Sequence, residues 1–501
     1  MSHKKAYVAL TDVFTRLYRY QHLAAMAGWD QHTMMPGRGS EARTAAMAEL
    51  GVLMHRTQTD PALQGWLAEA EQEDLSDMER ASLREMRRQW QHANLLPEKL
   101  VEAKTLAGMR CEHAWREQRQ ANDWTGFLAN FREVVRLSRE EGALLAAHTG
   151  GSPYDALMNK YEPGMQSAEI EGIFSDVKTW LPGLIAQVRE RQAGESVLQP
   201  QGPFSTVAQR ALGLEVMRRI GFEFDAGRLD ISVHPFCGGV AEDVRITTRY
   251  SEDDFTQSLM GIIHETGHAR YEQNLPRDWV HLPVGQARSM GIHESQSLSF
   301  EMQLGRHPGF LHNIAPLVRQ HLSADPAASD PAFDPANLAR FYSRVEPGFI
   351  RVDADELCYP AHVILRFEIE RALMNSEIEA EDIPALWDEK MQAYLGIDTR
   401  GNYKNGCLQD MHWSDGSFGY FPSYTLGAMY AAQYFASMRQ IYPTLDEEIS
   451  IGDFRHVFAW LNEHIWSQAS RWETGELVRR ATGESLNPGY FRAHLEARYL
   501  A

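Results

Sequence analysis

The 501-residue sequence has no run of about 18 uninterrupted apolar residues, the minimum length of a typical membrane-spanning helix. Its first twenty residues also lack the apolar core of a signal peptide, because Asp12, Arg16 and Arg19 interrupt that segment. The sequence therefore argues against a helical membrane protein. We expect a cytoplasmic protein without a targeting segment.

Cysteine is scarce, and its four positions lie far apart with no CxxC pair. They are Cys111, Cys237, Cys358 and Cys407. This spacing excludes a disulfide scaffold and a cysteine-rich zinc module. We expect buried, reduced thiols at all four positions.

Basic residues are too few to balance the acidic ones. The chain has 49 Lys and Arg residues against 68 Asp and Glu residues, which gives a net charge of −19. A surface of this sign repels a phosphate backbone or an anionic membrane. We therefore expect no nucleic-acid partner and no membrane partner, and the charge favours ligands that are not strongly acidic.

Helical periodicity dominates what remains. From Ala6 to about Gln192 apolar residues recur at three and four spacing, and breakers at 36–39 and 150–153 separate the helices. Residues 192–203 form a predicted surface linker, either a lobe boundary or a loop. We expect a mainly α, single-domain chain over 1–501, with a helical N-terminal part at about 1–195 and a second part at about 205–501.

Two segments depart from this helical pattern. Between Arg228 and Tyr250 the period changes to two on either side of Gly238 and Gly239, which predicts a short β-ribbon. A proline-rich stretch from Ser323 through Pro326, Pro331 and Pro335 predicts a loop. No internal repeat or low-complexity tract is present.

The sharpest local motif is His264-Glu-Thr-Gly-His268. Histidines four residues apart lie on one helix face, so both imidazoles can bind one Zn²⁺, with Glu265 beside the metal-bound water as general base. Ser251 is the predicted N-cap and Pro276 the predicted stop of this helix. The alternative is two histidines on a solvated helix face.

The pattern of the helix favours the metal site. Phe255, Leu259, Ile262 and Ala269 lie on the face opposite the histidines, and we expect them to be the buried side. Gly261 and Gly267 lie near the histidine face, where missing side chains leave room for a metal and a substrate.

A catalytic zinc usually has three protein ligands, so a third is needed. Glu294, at the start of a second helical pattern, is the predicted ligand, and its neighbour His293 is the competitor. A glutamate on a second helix is the thermolysin-like arrangement. The HExxHxxGxxH alternative fails because the six residues after His268, up to Asn274, contain neither the glycine nor the histidine that this motif requires.

Six motifs occur in the order seen in the carboxypeptidase Taq family of metallocarboxypeptidases, and the resemblance covers most of the chain. Helical segments at 27–31, 153–155 and 161–165 are also similar to that family. The six motifs are at 234–236 (HPF), 243–247 (DVRIT), 264–268 (HETGH), 293–297 (HESQS), 350–355 (IRVDAD) and 406–413 (GCLQDMHW).

The resemblance implies a metal-dependent peptidase that releases single C-terminal residues from peptides with broad specificity. It implies a mainly helical fold with a deep substrate groove and a small β-ribbon beside the metal site. It also implies a homodimer and one Zn²⁺ per chain, with Co²⁺ as the alternative metal.

The chemistry calls for further groups. An oxyanion needs a donor besides the metal, and helical zincins with similar clefts place a His and a Tyr there, so His412 and Tyr420 are the candidates, with Tyr424 competing as a substrate contact. Aromatic wall packing is the alternative. For the substrate carboxylate, Arg351 and Arg245 lie in family motifs, and His234 is expected to shape the groove.

The arginines have a simpler interpretation as partners of Asp243, Asp353 or Asp355 in surface salt bridges. Similarly, His234 has the alternative of a structural hydrogen bond. In the expected mechanism metal-bound water attacks the scissile carbonyl and Glu265 takes its proton. Two other functions compete: a helical oligopeptidase or dipeptidyl carboxypeptidase with the same metal chemistry, and a non-catalytic peptide-binding scaffold with a structural metal.

Overall fold

The computed structural model describes residues 4–325, 327 and 330–500, which form α-helices joined by short loops and one small sheet. Pro326 of the predicted proline-rich loop lies outside the described residues. The first eight helices are α1 Lys5–Thr33, α2 Ser40–Gln58, α3 Ala62–Ala70, α4 Asp77–Leu95, α5 Glu98–Gln120, α6 Trp124–Thr149, α7 Pro153–Met158 and α8 Ser167–Gln192.

The second part of the chain holds the sheet and the remaining helices. The strands are β1 Gly227–Ile231, β2 Cys237–Val240 and β3 Asp243–Thr248. The helices are α9 Thr206–Arg219, α10 Thr256–Gln273, α11 Met290–Leu298, α12 Pro308–Leu322, α13 Pro335–Tyr342, α14 Tyr359–Met374, α15 Ile383–Leu395, α16 His412–Asp415, α17 Pro422–Ile441, α18 Leu445–Ser450, α19 Arg455–His464, α20 Thr474–Thr482 and α21 Gly489–Leu500.

The N-terminal helices follow the predicted pattern. A 3₁₀ turn at Gly37–Gly39 separates α1 from α2, and Gly150 and Gly151, both with positive φ, separate α6 from α7. Ser76 and Ser152 precede α4 and α7 as N-caps with capping boxes. Each serine side chain accepts from the backbone N–H of the third helical residue, whose carboxylate accepts from the serine N–H. The mainly α class expected from the sequence is confirmed.

The predicted ribbon is a three-stranded sheet in the order β1-β3-β2. Strand β1 pairs parallel to β3, and β2 pairs antiparallel to it. The expectation that Gly238 and Gly239 lie between two strands was wrong: they lie inside β2. Two adjacent glycines carry no alternating pattern, so the sequence contains no signal for strand β2.

Helix α10 is shorter at its start than predicted. It begins at Thr256, and Phe255 rather than Ser251 occupies its N-cap position. The proline-rich segment predicted as a loop ends at Pro335, where α13 begins, and it contains a 3₁₀ turn at Pro331–Phe333. Pro is compatible with the first turn of a helix because its missing N–H would have no partner there.

Buried apolar side chains form one large core on both sides of the predicted linker. This core includes residues from Leu100 to Val188 and from Phe204 to Tyr499. A smaller core joins α1, α3 and α4 to Leu282 and Val284. Three of the four cysteines are buried free thiols, whereas Cys237 is only half-buried and lines a groove. No helix in the described part of the chain has the length and apolarity needed to cross a membrane.

Candidate active site

A groove of about 1380 Å³ lies between the N-terminal helices, the sheet and the later helices. Its floor holds His264 and His268 of α10 and Glu294 of α11. One ligand atom from each of these three residues lies within 4.8 Å of the others. Glu294 Oε1 lies 3.9 Å from His264 Nε2, and Glu294 Oε2 lies 3.4 Å from His268 Nε2. The structure thus brings together all three residues predicted as metal ligands.

The Nδ1 atom of each imidazole contacts a neighbouring side chain on the side away from Glu294. Glu301 Oε2 lies 2.9 Å from Nδ1 of His264. His293 Nδ1 lies 2.7 Å from Nδ1 of His268, and Glu272 is 2.8 Å from the other nitrogen of His293. These contacts at Nδ1 orient Nε2 of each histidine toward Glu294. His293, the competitor for the third ligand position, therefore lies behind His268 rather than in the cluster.

The donor set fits a divalent metal. Two imidazoles and a carboxylate form a ligand set that catalytic zinc takes, and it leaves a coordination position for water. Burial raises the pKa of Glu294, but the neighbouring His268 and His264 lower it by more than burial raises it. This carboxyl is therefore ionised at neutral pH. An ionised carboxylate is the form that binds a metal.

Glu265 lines the same groove and is buried. Burial raises its pKa to about 7, and the nearby charge of Glu294 acts in the same direction while His264 opposes it. A carboxyl group with this pKa both accepts and releases a proton near neutral pH.

The face of α10 opposite the histidines is buried, as predicted from Phe255, Leu259, Ile262 and Ala269. Gly261 borders the groove, and a Cβ there would meet open space. Gly267 does not leave room for a ligand: a Cβ there would lie 2.7 Å from the Cα of Ser297 in α11. Gly267 instead allows α10 and α11 to pack closely. The prediction that it leaves room for a metal and a substrate was therefore wrong.

His412, Tyr420 and Tyr424 line one wall of the groove. The Tyr424 hydroxyl lies 3.3 Å from His412 Nε2, and the rings of Tyr420 and Tyr424 are 5.2 Å apart. Burial lowers the pKa of His412 to about 3, with Arg351 adding to the effect, so its imidazole is neutral. The structure brings the predicted histidine and both competing tyrosines together.

Arg351 also lines the groove, where it is nearly fully buried. It donates from Nε and Nη2 to the two carboxylate oxygens of Asp410, at 3.1 and 2.9 Å, and from Nη1 to the Tyr359 hydroxyl at 2.8 Å. Asp410 and Tyr359 were not singled out from the sequence. Asp410 lies in the QDMHW motif, but its role as the partner of Arg351 becomes evident only from the fold, which places the motif beside that arginine.

The structure does not bring Arg245 to the groove. Its guanidinium pairs with Asp243, at 2.6 Å from Nη2, and lies 4.6 Å from the ring centre of Trp29 in α1. This is the salt-bridge alternative considered for the sequence. His234 does line the groove, and burial together with the charges of Arg249 and Arg119 lowers its pKa.

Comparison with known proteins gives a consistent result. The family model of carboxypeptidase Taq (M32) metallopeptidases matches residues 9–499. Thermostable carboxypeptidase 1 of Thermus thermophilus is 38% identical over 516 residues, covering 100% of this chain and 99% of that one. Carboxypeptidase 1 of Bacillus subtilis is 34% identical, with 97% of each chain covered.

Solved structures agree with the sequence comparison. The structure of metallocarboxypeptidase 1 of Trypanosoma cruzi superimposes with a TM-score of 0.96 at 50% identity, covering 99% of this chain and 100% of that one. The fold, the family model and the relatives all point to one assignment. The chain belongs to the carboxypeptidase Taq (M32) family and is a metallocarboxypeptidase.

Proposed function

We propose that this metallocarboxypeptidase releases single C-terminal amino acids from peptides with broad specificity, using Zn²⁺ held by His264, His268 and Glu294. Co²⁺ is the alternative metal, because the same donor set accepts it. The observation that carries the proposal is that Glu265, between the two histidines on α10, lines the same groove of about 1380 Å³ as this cluster.

Zinc bound by these residues would polarise the scissile carbonyl and acidify a water molecule. The Glu265 carboxylate takes the proton of the attacking water and delivers it to the leaving amine. Because Glu265 is buried, few water molecules compete for the proton that it carries.

His412 and Tyr420 serve as hydrogen-bond donors to the oxyanion that develops on the substrate carbonyl. A neutral imidazole suits this role because it has one N–H group to donate. It also has no additional proton that a buried carboxylate could take. Nδ1 of His412 has no hydrogen-bond partner within the described ranges, and Tyr424 contacts Nε2. We assign Tyr424 to the substrate-contacting wall that orients this imidazole.

Arg351 binds the C-terminal carboxylate of the substrate. A guanidinium has five N–H groups, and three of those of Arg351 are used by Asp410 and Tyr359, so two remain for a ligand. Asp410 and the ring of Tyr424 hold the guanidinium in place. A fixed donor fork binds a carboxylate with little loss of side-chain entropy.

The test is a decapeptide with a blocked N-terminus, incubated with the purified protein and analysed by mass. A ladder of single C-terminal losses that stops with a chelator and returns with Zn²⁺ or Co²⁺ is the expected result. Internal cuts or dipeptide losses would favour the oligopeptidase or dipeptidyl carboxypeptidase alternative. Bound metal without hydrolysis would favour a peptide-binding scaffold.

The homodimer and the cytoplasmic location remain predictions from the sequence and the family resemblance. Light scattering on the purified protein tests the first of these. A homodimer gives twice the 57.0 kDa mass of one chain.

A further inference from the structure

Arg249 is an uncompensated charge on the groove wall. It follows β3, its side chain is exposed, and it lines the same groove as the candidate metal ligands. Its guanidinium makes no hydrogen bond or ion pair with any residue that the structure describes. By contrast, Arg306 and Arg351, which also line the groove, are each neutralised by a carboxylate, that of Glu301 and that of Asp410 respectively.

A second such charge lies on a different wall. Arg119 of α5 lines the groove and donates from Nε to the Lys404 carbonyl at 3.3 Å. Within residues 4–325, 327 and 330–500 it has no carboxylate partner within ion-pair distance. Helix α5 belongs to the N-terminal helices, whereas Arg249 belongs to the sheet region, so the two arginines come from opposite parts of the chain.

His234 connects the two arginines. The charges that shift its pKa are those of Arg249, Arg119 and Arg116, and no carboxylate is among them. Three residues further on, burial raises the pKa of the Cys237 thiol, and the charges of Glu265 and Glu272 add to that effect. His234 is therefore close enough to both arginines for their charges to act on it, and all three residues line the groove.

We propose that Arg249, Arg119 and His234 form a subsite for an acidic side chain of the peptide substrate. The proposal rests on the proposed function, because it presumes a peptide in the groove. A carboxylate is the group on peptides that matches a free guanidinium, and partial exclusion of water in a groove strengthens such a pair. The C-terminal carboxylate is assigned to Arg351, so the ligand here is an aspartate or glutamate side chain.

The positive charge of this subsite is opposite in sign to the net charge of the whole molecule. The net charge of −19 repels acidic peptides at a distance. At physiological salt, however, exposed charges are screened beyond about 8 Å, so contacts within the groove decide the preference once a peptide is bound. We therefore expect a positional preference for an acidic residue rather than a general preference for acidic peptides.

The experiment compares blocked hexapeptides that differ at one position, which is either Glu or its neutral isostere Gln. The ratio of kcat/KM for the Glu peptide to that for the Gln peptide is measured at each position. We expect one position at which this ratio is about 3 to 10, and we expect the ratio to fall with added NaCl. The variant Arg249→Gln, and likewise Arg119→Gln, should bring the ratio toward one, whereas Arg249→Lys should keep part of it.

The matched control is Arg132→Gln, since Arg132 is an exposed arginine of α6 paired with Glu381. This control should show the wild-type ratio. A ratio near one at every position in the wild type, or a preference that survives Arg249→Gln, would overturn the subsite while leaving the proposed function intact. If neither the Glu nor the Gln peptides are hydrolysed, the proposed function and the subsite both fail.

Discussion

Three glutamates near the two histidines, of which Glu265 and Glu294 are buried and Glu301 is half-buried, show how one residue type acquires different properties from its neighbours. Glu294 and Glu301 face histidines or Arg306, and these partners outweigh the effect of burial and lower the pKa of both carboxyls, that of Glu301 to about 2. Glu265 accepts no hydrogen bond from any residue that the structure describes, and burial raises its pKa to about 7. At neutral pH only Glu265 is poised to exchange protons, which agrees with the role proposed for it.

The variant Glu265→Gln tests that role. The amide keeps the shape of the side chain but cannot take a proton, so we expect kcat to fall about 10²- to 10⁴-fold. Metal content, measured by atomic absorption on the dialysed protein, should equal that of the wild type. Near-normal turnover by this variant would show that Glu265 is not the general base.

Glu301 gives a second prediction at this scale. It accepts from Nδ1 of His264, and removing such an outer contact typically costs about 10- to 100-fold in metal affinity. We expect that loss for Glu301→Ala, and a smaller one for Glu301→Gln, whose amide oxygen still accepts the N–H. Competition with a chromophoric chelator measures both. Glu368→Gln, in a half-buried cluster with Lys178 and Lys390, is the control and should bind metal as the wild type does. Equal affinity in Glu301→Ala would contradict the prediction.

The proximity of His264 and His268, two of the candidate metal ligands, could be predicted from the sequence because both lie on one helix. His264, Glu265 and His268 are fixed relative to one another by helix geometry alone. Glu301 was missed because it lies in a π-helical segment, Ser299–Gly305, where the usual 3.6-residue spacing does not apply. The prediction that Arg245 lies in the groove was wrong for a different reason. Alternation along a strand shows which residues share a face of the sheet, but it does not show which face borders the groove.

At the scale of elements, α11 is clamped between α10 and α17. A Cβ at Gly267 in α10 would press against the backbone of α11, and a Cβ at Gly427 in α17 would lie 2.7 Å from Glu294 Cγ. Glycine therefore allows both helices to approach the ligand-bearing helix. The sequence could not show this, because a glycine inside a helix does not reveal what packs against it.

The variant Gly427→Ala tests the clamp. The added methyl would displace Glu294, so we expect a loss of about 1–3 kcal/mol in the free energy of unfolding together with weaker metal binding. Urea unfolding and metal titration measure the two effects. Gly172→Ala in α8, where the new methyl meets open space, is the matched control and should stabilise the protein by about 0.4–1 kcal/mol. If both variants behaved alike, close packing at Gly427 would not be what places Glu294.

At the scale of the whole molecule, the N-terminal part supports the metal site directly. Glu162 lies between α7 and α8 and is buried; its carboxylate accepts from Ser289 Oγ at 2.6 Å, from Ser423 Oγ at 2.8 Å and from the Gly291 N–H. The N–H of Met290 donates to the Tyr161 carbonyl at 2.9 Å. The start of α11, and with it Glu294, is thus held by residues more than a hundred positions earlier in the chain.

The predicted division near residues 195–205 is a break in local pattern, and the shared core extends across it. Periodicity reports secondary structure along the chain, whereas burial depends on which helices meet in space, so sequence pattern alone could not show that both parts contribute to one core. We therefore propose that 1–501 folds as one cooperative unit.

Separate expression of fragments 1–195 and 205–501 tests this proposal. Each fragment would expose its share of the common core, and 205–501 would also lack the carboxylate of Glu162 at the start of α11. We expect neither fragment to show a cooperative unfolding transition by circular dichroism, and 205–501 to bind Zn²⁺ at least about tenfold more weakly than the full chain. Mixing the two fragments should restore part of both signals. Cooperative unfolding of 205–501 alone, with the Kd for Zn²⁺ of the full chain, would show instead that the metal-site part is an independent domain.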